Sequence, residues 1–405
     1  MRIPVLLVAV MLVLSGCETP PKSVAPVQPY PTDMMLWQIP PRPVAYDTLP
    51  GWDNADLAPG LSALRRSCAV FASRPPTQTL SRRAAWAGNA GDWQPACAAL
   101  DVIADETSAR AVIQALFTPV EIAAPDGASR FTGYFEPTFE ARLTPQAPYT
   151  EPVPAKPSDL IATSGRVYQT LPNGQRRAYP IRAEITRNGV TPLAYAHPAD
   201  VFFLQIQGSG RLILPDGRTL RAAYAANNGQ PFKSTANWLL NKGWITRGEA
   251  SMTGIRAWMD RTTSARARQA MNANPRFVFF TIEPEGDPNL GPKGALGVPL
   301  TPLGSLAVDN DYHPSGVPMF VQTTAPGLNG NWSGFLVAQD TGGAIKGPVR
   351  GDIYFGTGDA AGAAADTVNA PGRLWVLLPR VLAERIRASQ AAETASAIGL
   401  VTVAP

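Results

Sequence analysis

A mainly β protein with helices is the fold class this sequence predicts, and three observations carry it. The 405 residues are 45% hydrophobic and 16% charged, enough to bury a sizeable core and to divide into two domains. Forty-one prolines and 35 glycines favour many turns, and long helical periods are few outside the ends. From Phe277-Val278-Phe279-Phe280 to Leu378 the pattern is strand, turn, strand, with apolar runs at 298–300, 306–308, 319–321, 335–339, 353–355 and 374–378. That succession reads as a small closed barrel. No internal repeat of fixed period is present.

The first element is a leader. Arg2 precedes an apolar run from Ile3 to Leu14 that ends in Leu14-Ser15-Gly16-Cys17, the pattern of a bacterial lipoprotein signal. The run is shorter than the roughly 20 apolar residues a bilayer span needs. An ordinary secretory signal with an incidental cysteine is the alternative. The lipobox reading makes residues 1–16 the signal and Cys17 the lipid attachment point, with several acyl chains giving durable anchoring. Glu18 is not the aspartate associated with inner-membrane retention, so the expected location is the periplasmic face of the outer membrane. Prolines 20, 21, 26, 29 and 31 then keep the chain extended as a tether, taken here as 17–45.

Residues 56 to about 117 read as short amphipathic helices, with Thr107 and Ser108 as caps for the run from Ala109 to Phe117. Leu57, Leu61, Leu64, Cys68 and Phe71 share a helical spacing, as do Trp93, Cys97, Leu100 and Ala104. Both thiols therefore face inward, either bridged in an oxidising compartment or packed as free buried thiols. Phe131 to Arg142 reads as strands broken by Gly133 and Pro137. Val201 to Leu214 reads as a buried strand passing through Gln207-Gly208-Ser209-Gly210 into another. The Gly-Ser-Gly kink is either a bulge or barrel corner or a place where Gln207 and Ser209 meet sugar hydroxyls. Tyr224 to Gln230, with Asn228, offers an aromatic and amides in one turn, like a carbohydrate wall. Helix returns from 250 to 273, and 380–398 reads as a surface helix.

The net charge of +4 comes without a Lys/Arg run, so a nucleic-acid footprint has little support. Only His197 and His313 are present, which removes a His-based metal site and a Ser-His-Asp triad; no metal or cofactor is expected. Gly208-Ser209-Gly210 also lacks the nucleophile elbow of a serine hydrolase.

The richest stretch is Leu336 to Gly347, followed by Gly351-Asp352-Ile353-Tyr354-Phe355-Gly356. Asp340 and Asp352 each abut an apolar strand-like run, with four glycines and Lys346 between them. Asp340-Thr341-Gly342-Gly343 could be a plain turn. A carboxylate is costly to hold in apolar surroundings, however, and Asp309 follows Ala307-Val308 in the same form, so three acids at strand ends point to a site.

These motifs, with Thr132-Gly133-Tyr134-Phe135-Glu136-Pro137, Gln207-Gly208-Ser209-Gly210, Tyr224-Ala225-Ala226-Asn227-Asn228-Gly229 and Asn274-Pro275-Arg276-Phe277, resemble the membrane-bound lytic murein transglycosylase A family over roughly 131–378. The resemblance implies a C-terminal three-aspartate double-psi β-barrel packed with N-terminal helices (46–134 plus 273–380). A second, inserted β-barrel would occupy 135–272, with a glycan groove between the two and a C-terminal helix and tail at 381–405. It implies that Asp352 is the catalytic acid with Asp340 beside it, and that Thr132, Gly133, Tyr134, Gln207, Gly208, Ser209, Gly210, Tyr224, Asn228, Asp309 and Lys346 serve substrate binding. The loop from Lys346 to Asp352 is slightly longer than the family's usual form. Peptidoglycan glycan strands are the implied partner, with cell-wall synthesis proteins as further candidates.

The implied chemistry is cleavage of the β-1,4 bond between N-acetylmuramic acid and N-acetylglucosamine. The muramic C6 hydroxyl attacks its own anomeric carbon, so one acid serves where hydrolases use two. Asp352 must then start protonated, its pKa raised by an apolar wall of Ile353, Tyr354 and Phe355 and by the charge on Asp340. Lys346 would oppose that if it pointed inward, so it is expected on glycan or backbone. The rival readings are a hydrolytic muramidase and a non-catalytic wall-binding lipoprotein.

Overall fold

The computed structural model describes residues 42–101, 106–163, 165–284 and 286–401; the leader, Cys17 and most of the tether lie outside them. Among the described residues no helix is long and apolar enough to cross a membrane.

Among the described residues the chain folds around two large hydrophobic cores and a smaller cluster of Leu160, Tyr179, Ile185, Phe277 and Phe279. The first belongs to a sheet in which the strand Ser305–Val308 runs parallel to Gly330–Thr341 and antiparallel to Arg350–Thr357, which in turn runs parallel to Arg130–Glu136. On the other side Gly330–Thr341 pairs with Pro318–Ala325, and that strand with Gly372–Pro379. The circle closes through one segment. Asn369–Ala370 pairs with Arg130–Glu136, and two residues later the same chain pairs with Pro318–Ala325. Pro371 stands at the change of partner, a position suited to a residue with no N–H to donate to a ladder. The result is a six-stranded closed ring, and the sheet continues beyond it where Phe117–Ile122 pairs with Gly372–Pro379 and Arg42–Pro43 with Phe117–Ile122.

Helices Ala58–Ala72, Ala90–Asp101 and Glu106–Leu116 cover this barrel. Leu61, Leu64, Phe71, Trp93, Leu100 and Ile113 enter one core with Phe320, Leu336, Val337 and Trp375 of the strands. Cys68 and Cys97 are bridged, with Cα atoms 5.3 Å apart, so the disulfide alternative is the correct one. Thr107 and Ser108 lie inside the helix Glu106–Leu116 instead of capping it, and Phe117 opens the strand Phe117–Ile122. Val298 to Leu300 is not a regular strand: Pro299 forms an isolated bridge to Lys293, flanked by hydrogen bonds of Gly294 N–H to Val298 O and of Leu300 N–H to Pro292 O. The C-terminal helix Arg380–Val401 is no mere surface element, since Leu382, Ala383 and Ile386 are wholly buried.

The second core lies within strands Thr138–Arg142, Glu151–Pro154, Pro192–Ala196, Gly210–Ile213, Thr219–Asn227 and Val278–Glu283. Here too the sheet meets itself, because Ala155 bridges to Phe280 and Lys156 N–H donates to Phe280 O. Helices Met252–Arg261 and Ser264–Asn272 contribute Ile255, Trp258, Met259 and Met271.

One sequence expectation fails in this part. Residues 198–207 form an α-helix, not a strand: His197 accepts from Ala199 N–H at the N-cap, Pro198 occupies the first turn, and Gly208 caps the C-terminus with φ +89°. A ten-residue apolar run carries no period that separates a buried strand from a buried helix, and the proline-start, glycine-stop punctuation decides it.

The barrels are joined through Glu136. Its carboxylate is wholly buried and accepts from Arg211 Nε and Arg221 Nε of the second barrel, each at 3.0 Å, and from Thr357 Oγ1 of the first at 2.9 Å. The only step between the strand of one barrel and that of the other is Pro137.

Candidate active site

Register assembles the site. Ala307 lies opposite Asp340 on one neighbouring strand and opposite Asp352 on the other, and Asp352 lies opposite Thr132. Directly paired residues project from the same face of a sheet, so Thr132, Asp352, Ala307 and Asp340 form one row across four strands. Asp340 reaches the row only because a bulge skips Gln339, which turns inward to hold Ser67, Ala63 O and Ser305. The two acids stand two strands apart, about 10 Å by the ordinary spacing of strands, too far to share a proton.

The row floors a cavity of about 300 Å³ whose walls come from both barrels: Gly133, Tyr134, Asp340, Thr341 and Asp352 from the first, Gln207, Gly208, Tyr224 and Arg276 from the second. A second cavity of about 490 Å³ shares Tyr134, Gln207, Gly208, Tyr224, Arg276 and Asp340 and extends along Ser209, Lys293 and Gly294. Together they make one groove that passes over Asp340.

The two carboxyls are held differently. Asp352 accepts on Oδ1 from the Thr132 hydroxyl, which itself accepts from Arg350 Nη2 at 2.8 Å. Arg350 thus fixes the direction in which Thr132 donates. Burial raises the Asp352 pKa; the Thr132 bond and the charges of Arg350 and Arg130 oppose this. Asp340 accepts from Tyr134 Oη at 3.0 Å and from Ala295 N–H at 3.0 Å. Burial raises its pKa also, against the Thr341 backbone, Tyr134 and Ala295 bonds and with a small contribution from Asp352. More donors favour the charged form of Asp340, so Asp352 is the better proton carrier. Tyr134 is kept neutral by burial and by Asp340 and Asp352, so it stays a donor.

The apolar wall differs from the expected one. Strand alternation sends Ile353 and Phe355 into the first core. Tyr354 stays on the acid's face with Tyr134, ring centroids 5.2 Å apart. Position 133 requires glycine, because a Cβ would come within 2.8 Å of the Ala365 backbone and of the Phe355 ring.

The other expected residues divide. Gln207, Gly208, Ser209 and Tyr224 line the groove; Gly210 is buried at the start of its strand, where a Cβ would strike Leu204. Asn228 does not reach it: 1% exposed, it donates to Pro180 O and Pro275 O and accepts from Phe277 N–H. Asp309 is likewise buried and binds Lys346 Nζ and Gly347 N–H at 3.0 Å each. Lys346 is therefore on a carboxylate and not on backbone. Arg350 and Arg276 were not singled out from sequence. Alternation from Asp352 back to Arg350 was a usable signal for the first; the second lies inside the motif Asn274-Pro275-Arg276-Phe277, which carried the resemblance without marking its arginine as a site residue.

Two family models match the chain, the MltA specific insert domain over residues 130–281 and the 3D domain over 304–378. A lytic transglycosylase structure from Burkholderia pseudomallei is 36% identical, with 88% of this chain and 98% of that one covered and a TM-score of 0.55. The chain belongs to the membrane-bound lytic murein transglycosylase A family. Membrane-bound lytic murein transglycosylase A of Escherichia coli K12 is 34% identical over 262 residues, 62% of this chain and 66% of that protein's length, just under two thirds of the relative. A membrane-bound lytic murein transglycosylase structure from Agrobacterium tumefaciens superposes at a TM-score of 0.75, with 28% identity, 86% of this chain and all of that one. The E. coli MltA structure solved with bound chitohexaose gives 0.61, at 25% identity, with 85% and 95% covered. The family's two-domain architecture is the one described above, and the matched 3D segment carries Asp309, Asp340 and Asp352.

Proposed function

We propose that the protein is a lytic transglycosylase of peptidoglycan, cutting between N-acetylmuramic acid and N-acetylglucosamine with Asp352 as the single acid and base. The observation that carries the reading is a carboxyl on the groove floor whose pKa is raised by burial and whose one side-chain donor is committed to Oδ1. Oδ2 then holds the proton that passes to the glycosidic oxygen as the bond to the anomeric carbon breaks. The resulting carboxylate takes the proton from the C6 hydroxyl as its oxygen closes on that carbon, giving the 1,6-anhydro end. No water enters, so the balance is one bond broken, one formed and the proton relayed. Asp340, whose three donors work against the rise that burial imposes on its pKa, supports as a carboxylate the positive charge developing on the sugar ring.

Membership of the family and the chitohexaose complex of its E. coli member support a hexosamine strand as the ligand of the groove. Gln207, Ser209 and Tyr224 supply the amide, hydroxyl and ring face such a strand needs. The lipobox at Cys17 and the proline-rich tether put the enzyme on the periplasmic face of the outer membrane; Cys17→Ala should move it from the membrane to the soluble fraction.

The test is digestion of purified sacculi with the soluble form lacking residues 1–17. The wild type should release anhydro-muropeptides, and Asp352→Asn should lose at least about a hundredfold in rate while remaining cooperatively folded. A second carboxyl in the same row favours one rival, a hydrolytic muramidase. Products one water heavier, with reducing ends, would select it.

A further inference from the structure

The groove contains an arginine that the mechanism leaves unused, while the lysine it also holds, Lys293, is paired with Glu283 at 3.5 Å. Arg276 follows the helix Ser264–Asn272, and its backbone is pinned: its N–H donates to Asn274 Oδ1 at 3.2 Å and its carbonyl accepts from Arg182 Nη2 at 2.6 Å. Its guanidinium lies beside Gly343 at the groove wall, so close that a Cβ there would stand 3.3 Å from Cζ. Of five N–H donors, one makes a long bond of 3.4 Å, to Gln230 O.

Other arginines near the groove are committed. Arg182 serves Gln205, Asn274 O and Arg276 O; Arg211 and Arg221 serve Glu136; Arg350 serves Thr132 and backbone carbonyls. Among the described residues no carboxylate lies within ion-pair distance of Arg276, and burial lowers its pKa. A partly desolvated guanidinium with spare, fork-shaped donors facing a ligand groove is built for a planar anion.

We propose that Arg276 is a specificity residue that grips a carboxylate of the substrate and so distinguishes muramyl glycan from neutral hexosamine polymers. This rests on the glycan reading above. The carboxylate has two sources: the lactyl group of a strand stripped of peptide, or the stem peptide of an intact strand. Both hang from the sugar that chitin-type oligomers lack.

The experiment measures binding, so it does not depend on which residue is the acid. In an Asp352→Asn background, the affinities of three probes are measured by calorimetry: amidase-stripped glycan strands, peptide-bearing strands and chitohexaose. Arg276→Gln should weaken one or both anionic probes about tenfold to a hundredfold and leave chitohexaose within twofold. Arg276→Lys should recover part of the loss, since it keeps charge without the fork. Loss on stripped strands alone assigns the lactyl carboxylate; loss on peptide-bearing strands alone assigns the stem.

Equal weakening of all three probes, or of none, overturns the proposal. Should Arg276→Gln fail to fold, salt decides with the unsubstituted groove: raising ionic strength must weaken the anionic probes and spare chitohexaose. If none of the three probes binds at all, it is the glycan reading that fails.

Discussion

A buried carboxyl with a raised pKa taxes the fold, and at Asp352 the tax has a definite pH dependence. The folded state holds the proton more tightly than the unfolded chain. The associated stability is full below the unfolded carboxylate pKa and is lost as pH rises through the folded value. Asp352→Asn should therefore melt higher than the wild type at neutral pH, with the gain vanishing toward pH 3. A melting difference unchanged across that range would mean the carboxyl is not desolvated as described. Asp340→Asn should behave similarly in stability but lose less activity, because in the proposed mechanism its carboxylate assists the sugar cation and does not carry the proton. Tyr134→Phe, which removes one of its donors, should shift the activity profile with pH and not merely lower it; a uniform drop would make the tyrosine a plain packing residue.

At the scale of elements, the strand Ser305–Val308 is the spacer that separates the acids, and Ala307 is small because both side chains flank it. Ala307→Leu would extend into the groove between them. Activity on sacculi should collapse while the melting point moves little, and a large fall in melting point would place that side chain in the core instead. The bridge between helices Ala58–Ala72 and Ala90–Asp101 closes a 29-residue separation. Its removal should cost about 3–4 kcal/mol on the loop-entropy account, read as a shift in denaturant midpoint.

Elements also show where sequence ran out. The apolar runs 306–308, 319–321, 335–339, 353–355 and 374–378 each fell on a strand because strand patterning there is strong and turns are marked by glycine. Residues 198–207 did not, because a fully buried helix and a fully buried strand look alike in hydropathy. The acids were visible as residues whose placement is costly. Arg276 and the Ala295 amide were not, since they meet Asp340 and the groove only through the docking of distant loops. Asn228 misled for the reverse reason: an amide in a turn serves backbone carbonyls as readily as a sugar.

For the whole molecule, the fully buried Glu136 holds the two barrels at a fixed angle, and the groove width follows from it. Removing one partner of such a cluster leaves an uncompensated buried charge, at about 3–5 kcal/mol. Glu136→Gln should lower the melting point sharply and separate a single calorimetric transition into two, one per barrel. Retention of one sharp transition would mean that the interface does not depend on this cluster.

Thr132 and Asp352 are 220 positions apart, and the first barrel is sealed only when the chain around Pro371 crosses from one partner strand to the other. Contacts so distant along the polypeptide are made last. A nascent or half-exported copy has Thr132 but neither Asp352 nor a closed barrel to present it. The proposed cutting power would therefore arise only after nearly every residue has emerged, the topology itself acting as a safety delay.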